Sequence, residues 1–215
     1  MSHGEHASVL DDPQGPPHVH HMDPPTAYHA AKFGMWLFLA TELLLFGVMF
    51  AAFAIFRWKY FEEFHKASKH LNWMLGAANT AVLLTSSYYA AMAVDHAQHG
   101  RNKKVLSSLL ITIGCAVGFL VIKTIEYSEK YHHGYFPGGA NFHEYKTFLP
   151  LYFCMTGIHA LHVIIGMVLL GWVASLAAKN RFSERYYTPV EVGALYWHLV
   201  DLIWIYLFPL LYLVG

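Results

Sequence analysis

The sequence predicts an all-α membrane protein, a bundle of five transmembrane helices behind a disordered polar N-terminal tail. Hydrophobic residues make up 56% of the 215-residue chain and charged residues only 13%, a composition too apolar for a soluble domain of this size. Five runs are long enough to cross a bilayer core of about 30 Å, which takes about 20 apolar residues in a helix. Phe, Tyr and Trp supply 16% of the residues, in keeping with aromatic belts at two membrane–water interfaces.

Residues 1–32 hold five of the nine prolines and six histidines, His3, His6, His18, His20, His21 and His29. With no apolar core and no cleavage pattern, this stretch reads as a solvated His/Pro-rich tail rather than a signal peptide. Its histidines could hold copper or zinc weakly, but their irregular spacing favours a plain tail. The membrane domain then occupies 33–215. Its first span, 33–56, is bracketed by Lys32 and Arg57, with Trp58 and Tyr60 at the interface. The second, 73–94, has Asn72 placed to cap it. The third, 105–125, follows the turn His99-Gly100-Arg101. Pro150 stands near the start of the fourth, 148–178, where a missing N–H does no harm. Pro189 sets off the fifth, 190–214, because the residue before a proline resists helical geometry.

Lys and Arg total 14, matching 14 Asp and Glu, so nothing points to nucleic acid. Five spans place Lys32, Arg101, Lys103, Lys104, Lys179, Arg181 and Arg185 on one side. Arg57, Lys59, Lys66, Lys69, Lys123, Lys130 and Lys146 fall on the other. That tie leaves orientation open, with the short basic loops favouring a cytoplasmic N-terminus. Cys115 and Cys154 sit inside apolar segments and read as small buried hydrophobes rather than a disulfide.

Ionisable groups at membrane depth cost roughly 2.5–3.5 kcal/mol each on insertion scales, which singles out the few present. Glu42 lies mid-span, where desolvation disfavours its ionised form. A proton-linked or lipid-linked carboxyl is favoured over a neutral glutamate serving as packing glue, since a lone mid-bilayer Glu is a poor choice for packing alone. Asn79, Thr80, Thr85, Ser86 and Ser87 read as hydrogen-bonding contacts between helices. Gly114-Cys115-Ala116-Val117-Gly118 would permit close helix approach, and Lys123 and Glu126, three apart, can pair near an interface. His159 and His162 share a face of the fourth span. They could ligate metal or haem with His198, but no second well-placed pair exists, so neutral inter-helix hydrogen bonding is the better reading. Glu191, His198 and Asp201 share a face of the fifth span. His198 with Asp201 is either a proton-relay fragment or a buried polar clasp, and the clasp is favoured.

Together these segments resemble subunit III of the haem–copper terminal oxidases (cytochrome c and quinol oxidases), in its five-span bacterial form. The resemblance covers about residues 30–215. It rests on Thr41-Glu42-Leu43-Leu44-Leu45-Phe46, on Asn79-Thr80 with Leu83-Leu84-Thr85-Ser86-Ser87, and on Glu126-Tyr127. Most specific are Thr156-Gly157-Ile158-His159-Ala160-Leu161-His162-Val163-Ile164-Ile165-Gly166 and Tyr196-Trp197-His198-Leu199-Val200-Asp201-Leu202-Ile203-Trp204. The chain departs at Thr41, Ala160 and Leu199, where the family often has Ser, Gly and Phe, and at Lys123, where it often has Gln. Longer members have seven spans, and their first two help form a lipid-filled cleft.

The resemblance implies a subunit with no catalytic residues, haem, copper or other metal of its own. It would pack directly on subunit I, with subunit II and other respiratory complexes as further candidate partners, in a bacterial cytoplasmic membrane with its N-terminus cytoplasmic. It would stabilise subunit I, hold structural phospholipids and support proton uptake while the complex reduces O2 to water. On this reading Glu42 is the buried carboxyl facing lipid or partner. Asn79, Glu126, His159, His162, His198 and Asp201 are lipid or inter-helix polar contacts. Competing expectations are a subunit of a related nitric oxide reductase, a membrane b-type cytochrome using His159, His162 and His198, and a proton-coupled transporter using Glu42, His198 and Asp201. Five spans with no inverted repeat and no broken helix pair disfavour the last.

Overall fold

The computed structural model describes residues 24–69, 71–135, 139 and 142–213, and every regular element among them is helical. The order is α1 (Pro24–Lys59), α2 (Phe61–Ser68), α3 (Trp73–Gln98), α4 (Asn102–His132), a 3-10 turn (Phe142–Tyr145), α5 (Phe148–Ala178) and α6 (Thr188–Phe208). The last continues into a π-helical turn, Pro209–Leu213. Four stretches are long and apolar enough to cross a membrane: Thr26–Lys59, Asn102–His132, Phe148–Ala178 and Thr188–Leu213. The other expected span, α3, has 26 residues, but the amide and hydroxyls of Asn79, Thr80, Thr85, Ser86 and Ser87 lower its apolarity.

Several expected boundaries move. Helix α1 begins at Pro24 rather than 33, so the 24–32 part of the expected tail, His29 included, is helical. Two prolines at a helix start forgo only N–H groups that lack partners anyway, and Ala27, Ala30 and Ala31 continue the turn. The tail histidines His3, His6, His18, His20 and His21 lie outside the described residues. Helix α4 runs past 125 to His132. Helix α6 starts at Thr188 with Pro189 in its first turn, so the proline opens the helix instead of breaking it beforehand.

Contacts of α3 with α4, α4 with α5, α5 with α6, and α6 with α3 close a four-helix ring, against which α1 leans mainly through α6. The core is aromatic: Phe46, Phe53, Phe119, Tyr152, Trp197 and Trp204 are fully buried. Side chains of α6 and its final turn press onto two glycines: an added Cβ at Gly166 would lie 2.8 Å from the Trp197 ring, and one at Gly76 2.7 Å from Phe208. Gly114 and Gly118 face open space. The close approach their spacing permits is not made within this chain.

Loop ties hold the ends. Asn72 caps α3 by accepting from the Met74 and Leu75 amides at 3.1 and 3.4 Å. The short helix α2 buries Phe64 against Phe53 and Phe148 and turns Glu63 toward the start of α5. There Glu63 Oε1 accepts from the Thr147 and Phe148 amides at 2.7 and 3.0 Å, satisfying donors that a helix N-terminus leaves bare. On the other face, the Asn102 side chain donates to the Phe182 carbonyl at 2.8 Å and accepts from its amide at 3.2 Å. That bond locks the α3–α4 turn to the α5–α6 loop.

Candidate functional site

Glu42 projects from the middle of α1 onto α5, where its Oε2 lies 2.9 Å from His162 Nε2. Both side chains are nearly buried, with exposures of 15% and 11%. His162 Nδ1 lies 2.8 Å from the Ile158 carbonyl, one turn earlier. A carbonyl oxygen only accepts, so Nδ1 carries a proton. The contact between Nε2 and Oε2 then holds one shared proton: the pair is either carboxylic acid with imidazole or carboxylate with imidazolium, and net neutral in both forms. Neutrality lowers the cost of placing two ionisable groups at membrane depth. The Phe46 ring packs edge-on against His162, and the Tyr196 hydroxyl of α6 donates to the His162 carbonyl at 3.2 Å.

The second polar centre is built around Glu126 near the end of α4. Lys123 Nζ lies 2.9 Å from Glu126 Oε2, with the two side chains 5% and 2% exposed. Tyr212 of the C-terminal turn and Tyr152 of α5 donate to Glu126 at 2.6 and 2.8 Å. Lys123 in turn reaches their oxygens at 3.0 and 3.3 Å. The ammonium sits 5.1–5.6 Å from the ring centroids of Trp204, Tyr152, Tyr127 and Tyr212, an aromatic box suited to a cation. Lys130 stands 4.0 Å from Glu126 and 5.0 Å from the Tyr152 ring. Tyr127 and Thr156 exchange a hydroxyl hydrogen bond beside it. The ion pair expected from the three-residue spacing is thus the seed of a cluster joining α4, α5 and the final turn.

Helices α3 and α6 meet through hydroxyls. Trp197 Nε1 donates to Ser86 at 2.9 Å, Trp204 Nε1 to Thr80 at 3.1 Å, and His198 Nδ1 pairs with Ser87 at 2.8 Å. The expected clasp between His198 and Asp201 does not form. His198 turns to α3 instead, and both carboxyl oxygens of Asp201 are without a hydrogen-bond partner. Ser87 lies near that carboxyl without meeting hydrogen-bond geometry. Asn79 and His159, both fully buried, are likewise unpartnered.

Sequence reasoning missed the indoles of Trp197 and Trp204, although their seven-residue spacing, beside the six-residue spacing of Thr80 and Ser86, marks facing ladders. It also missed Tyr28 and Lys32, which bind Glu191 of α6 at 2.8 and 2.6 Å. Among the described residues no group of three or more His, Cys, Asp or Glu converges. His162 has both nitrogens engaged, with the Ile158 carbonyl and with Glu42. His159 is flanked by Phe119 and Trp204 at 5.6 and 5.3 Å between ring centroids.

The family model described as "Cytochrome c oxidase subunit III" matches residues 18–215. Cytochrome c oxidase subunit 3 of Bacillus sp. (strain PS3) is 30% identical over 187 residues, covering 85% of this chain and 84% of the relative. Cytochrome bo(3) ubiquinol oxidase subunit 3 of Pseudomonas putida is 28% identical over 184 residues, covering 85% and 84%. Heme-copper oxidase subunit I+III of Aeropyrum pernix is 28% identical over 186 residues, 84% of this chain but 22% of that longer protein.

Proposed function

The chain belongs to the cytochrome c oxidase subunit III family, and on that footing we propose that it is a non-catalytic subunit of a proton-pumping haem–copper oxidase in aerobic respiration. It is a multi-pass membrane protein with four apolar helices able to cross the bilayer. In this reading α3 is the fifth span, with Ser86 turned to α4 and α6 and Thr80 and Ser87 to α6, while Thr85 is exposed and bonds the Ala81 carbonyl of its own helix. The N-terminus and the α3–α4 and α5–α6 connections then lie on the cytoplasmic face of a bacterial inner membrane.

The proposed work of the subunit is to stabilise subunit I, hold phospholipid and support proton uptake while partner subunits, which carry haem and copper, reduce O2 to water. The Aeropyrum relative, whose name joins subunits I and III in one chain, supports direct packing on subunit I. The outer face of α1, with Trp36, Leu43, Leu44, Val48 and Ile55 exposed, offers apolar surface for acyl chains or a partner helix.

The Glu42–His162 pair is the observation that carries the role. A net-neutral pair with one shared proton, at membrane depth and not fully closed off, is suited to hold or pass a proton, or to face a lipid, without a standing charge. In the intact oxidase, Glu42→Gln should leave the initial rate of O2 reduction near that of the parent but shorten active lifetime or slow proton uptake. Sustained turnover and lipid content both unchanged would remove Glu42 from this role.

A further inference from the structure

The start of α1 is fastened to one end of the bundle. Tyr28 lies 6.4 Å from Tyr187 between ring centroids, and Tyr28 and Lys32 both bind Glu191. Five residues before Tyr187, Phe182 is clasped by Asn102. The α5–α6 loop and the α3–α4 turn therefore form one continuous surface leading away from α1. That surface is basic. Arg101, Lys103, Lys104, Lys179 and Arg181 are all exposed on it, and Glu184 is the one carboxylate between residues 179 and 187. Among the described residues none of these cations forms an ion pair. Gly100 and Asn180, with left-handed φ of 65° and 53°, line an open hollow of about 290 Å³ together with Arg101, Asn102, Lys103 and Lys104.

Residues 1–23, which lead directly into α1, have the opposite character. Their acidic side chains are Glu5, Asp11, Asp12 and Asp23, and they include no Lys or Arg. Exposed ion pairs are individually weak and screened beyond about 8 Å at physiological salt. A tethered partner, however, is present at an effective concentration on the order of millimolar, so several weak pairs can act together. Reach is sufficient. The chain from Asp12 to Pro24 extends to roughly 40 Å, against roughly 25 Å from α1 across the bundle to α4 at the usual helix spacing. A lipid headgroup could meet the same cations, but the acidic segment is delivered to them covalently and brings no cation of its own.

We propose that the acidic segment 1–23 docks on this basic face, with its carboxylates against Arg101, Lys103 and Lys104 around the hollow. The contact fastens the leading segment across the α3–α4 and α5–α6 connections. It rests on the fold and the charge pattern and does not depend on the oxidase role.

Two readings on the protein in opened native membranes test this. Zero-length carbodiimide coupling, which joins a carboxyl to an amine as an amide with loss of water, should link residues 1–23 to Lys103, Lys104 or Lys179. In the variant carrying Glu5→Gln, Asp11→Asn, Asp12→Asn and Asp23→Asn, all outside the described helices, acetylation of Lys103 and Lys104 should rise several-fold. The exposed Lys66, at the other end of the bundle, should keep its rate. Absence of the coupled peptides, or equal acetylation of Lys103 and Lys104 in parent and variant, would overturn the proposal, whether that face is bare or is covered by lipid headgroups or another subunit.

Discussion

Glu42 and His162 illustrate how ionisable groups are carried in this bundle: a backbone carbonyl fixes the imidazole proton, and the partner carboxyl completes the count. The pair couples α1 to α5, so its energy is visible in a double-mutant cycle. For Glu42→Gln and His162→Leu, measured by thermal unfolding in detergent, the expected coupling is about 0.6 kcal/mol and at most about 1.7 kcal/mol, the range double-mutant cycles give for polar contacts between membrane helices. Purely additive losses would show that the contact contributes nothing. Glu126 is the deeper case. Removing Lys123 as Lys123→Met strands its carboxylate with Lys130 at 4.0 Å, and should destabilise by about 3–5 kcal/mol. Adding Glu126→Gln should recover part of that loss, and a double variant as unstable as the single would contradict the assignment. At this scale the sequence was only partly readable. The Lys123–Glu126 pair follows from helical spacing, whereas Tyr152 and Tyr212 come from other helices and carry no local signal. His198 and Asp201 misled for the same reason: sharing a face allows contact, but a hydroxyl across the interface at Ser87 competed for the imidazole.

At the scale of elements, apolar runs were legible and their ends were not. Two prolines marked the tail in sequence and yet open α1, because a proline's missing N–H is harmless in the first helical turn. Helix α2 was hidden among charged residues, and its value lies in where it puts Glu63. Glu63→Ala should cost about 1 kcal/mol, as for other lost N-caps, with faster hydrogen exchange confined to the Thr147 and Phe148 amides; unchanged exchange would refute the cap. Glycine motifs were equally ambiguous, since Gly114 and Gly118 have the expected spacing but Gly166 makes the close contact. Gly166→Ala should destabilise by about 1–3 kcal/mol by pushing on Trp197. Gly114→Ala, in open space within a helix, should be neutral or stabilising by up to about 1 kcal/mol. Equal effects at both positions would contradict the packing between α5 and α6.

For the molecule as a whole, the all-helical architecture and its membrane character were readable from composition and run length, because a bilayer demands them of any spanning helix. Orientation was not, since the basic residues divide evenly between the two sides. The number of spans turns on α3, whose polar side chains lower its apolarity but satisfy α6 through Ser86, Ser87 and Thr80. Those same groups make the inward side of α3 a poor lipid surface and a good helix surface. The large apolar exterior left on α1, with Leu44 and Val48 70% and 69% exposed, fits a chain that works inside a larger membrane assembly. The most direct test is to tag this chain, purify it from native membranes in mild detergent and identify by mass spectrometry what remains bound. An accessory oxidase subunit should bring down a large polytopic haem–copper subunit at equal stoichiometry, with haem recovered in that partner. Recovery of the chain alone, or with proteins unrelated to an oxidase, would contradict the account.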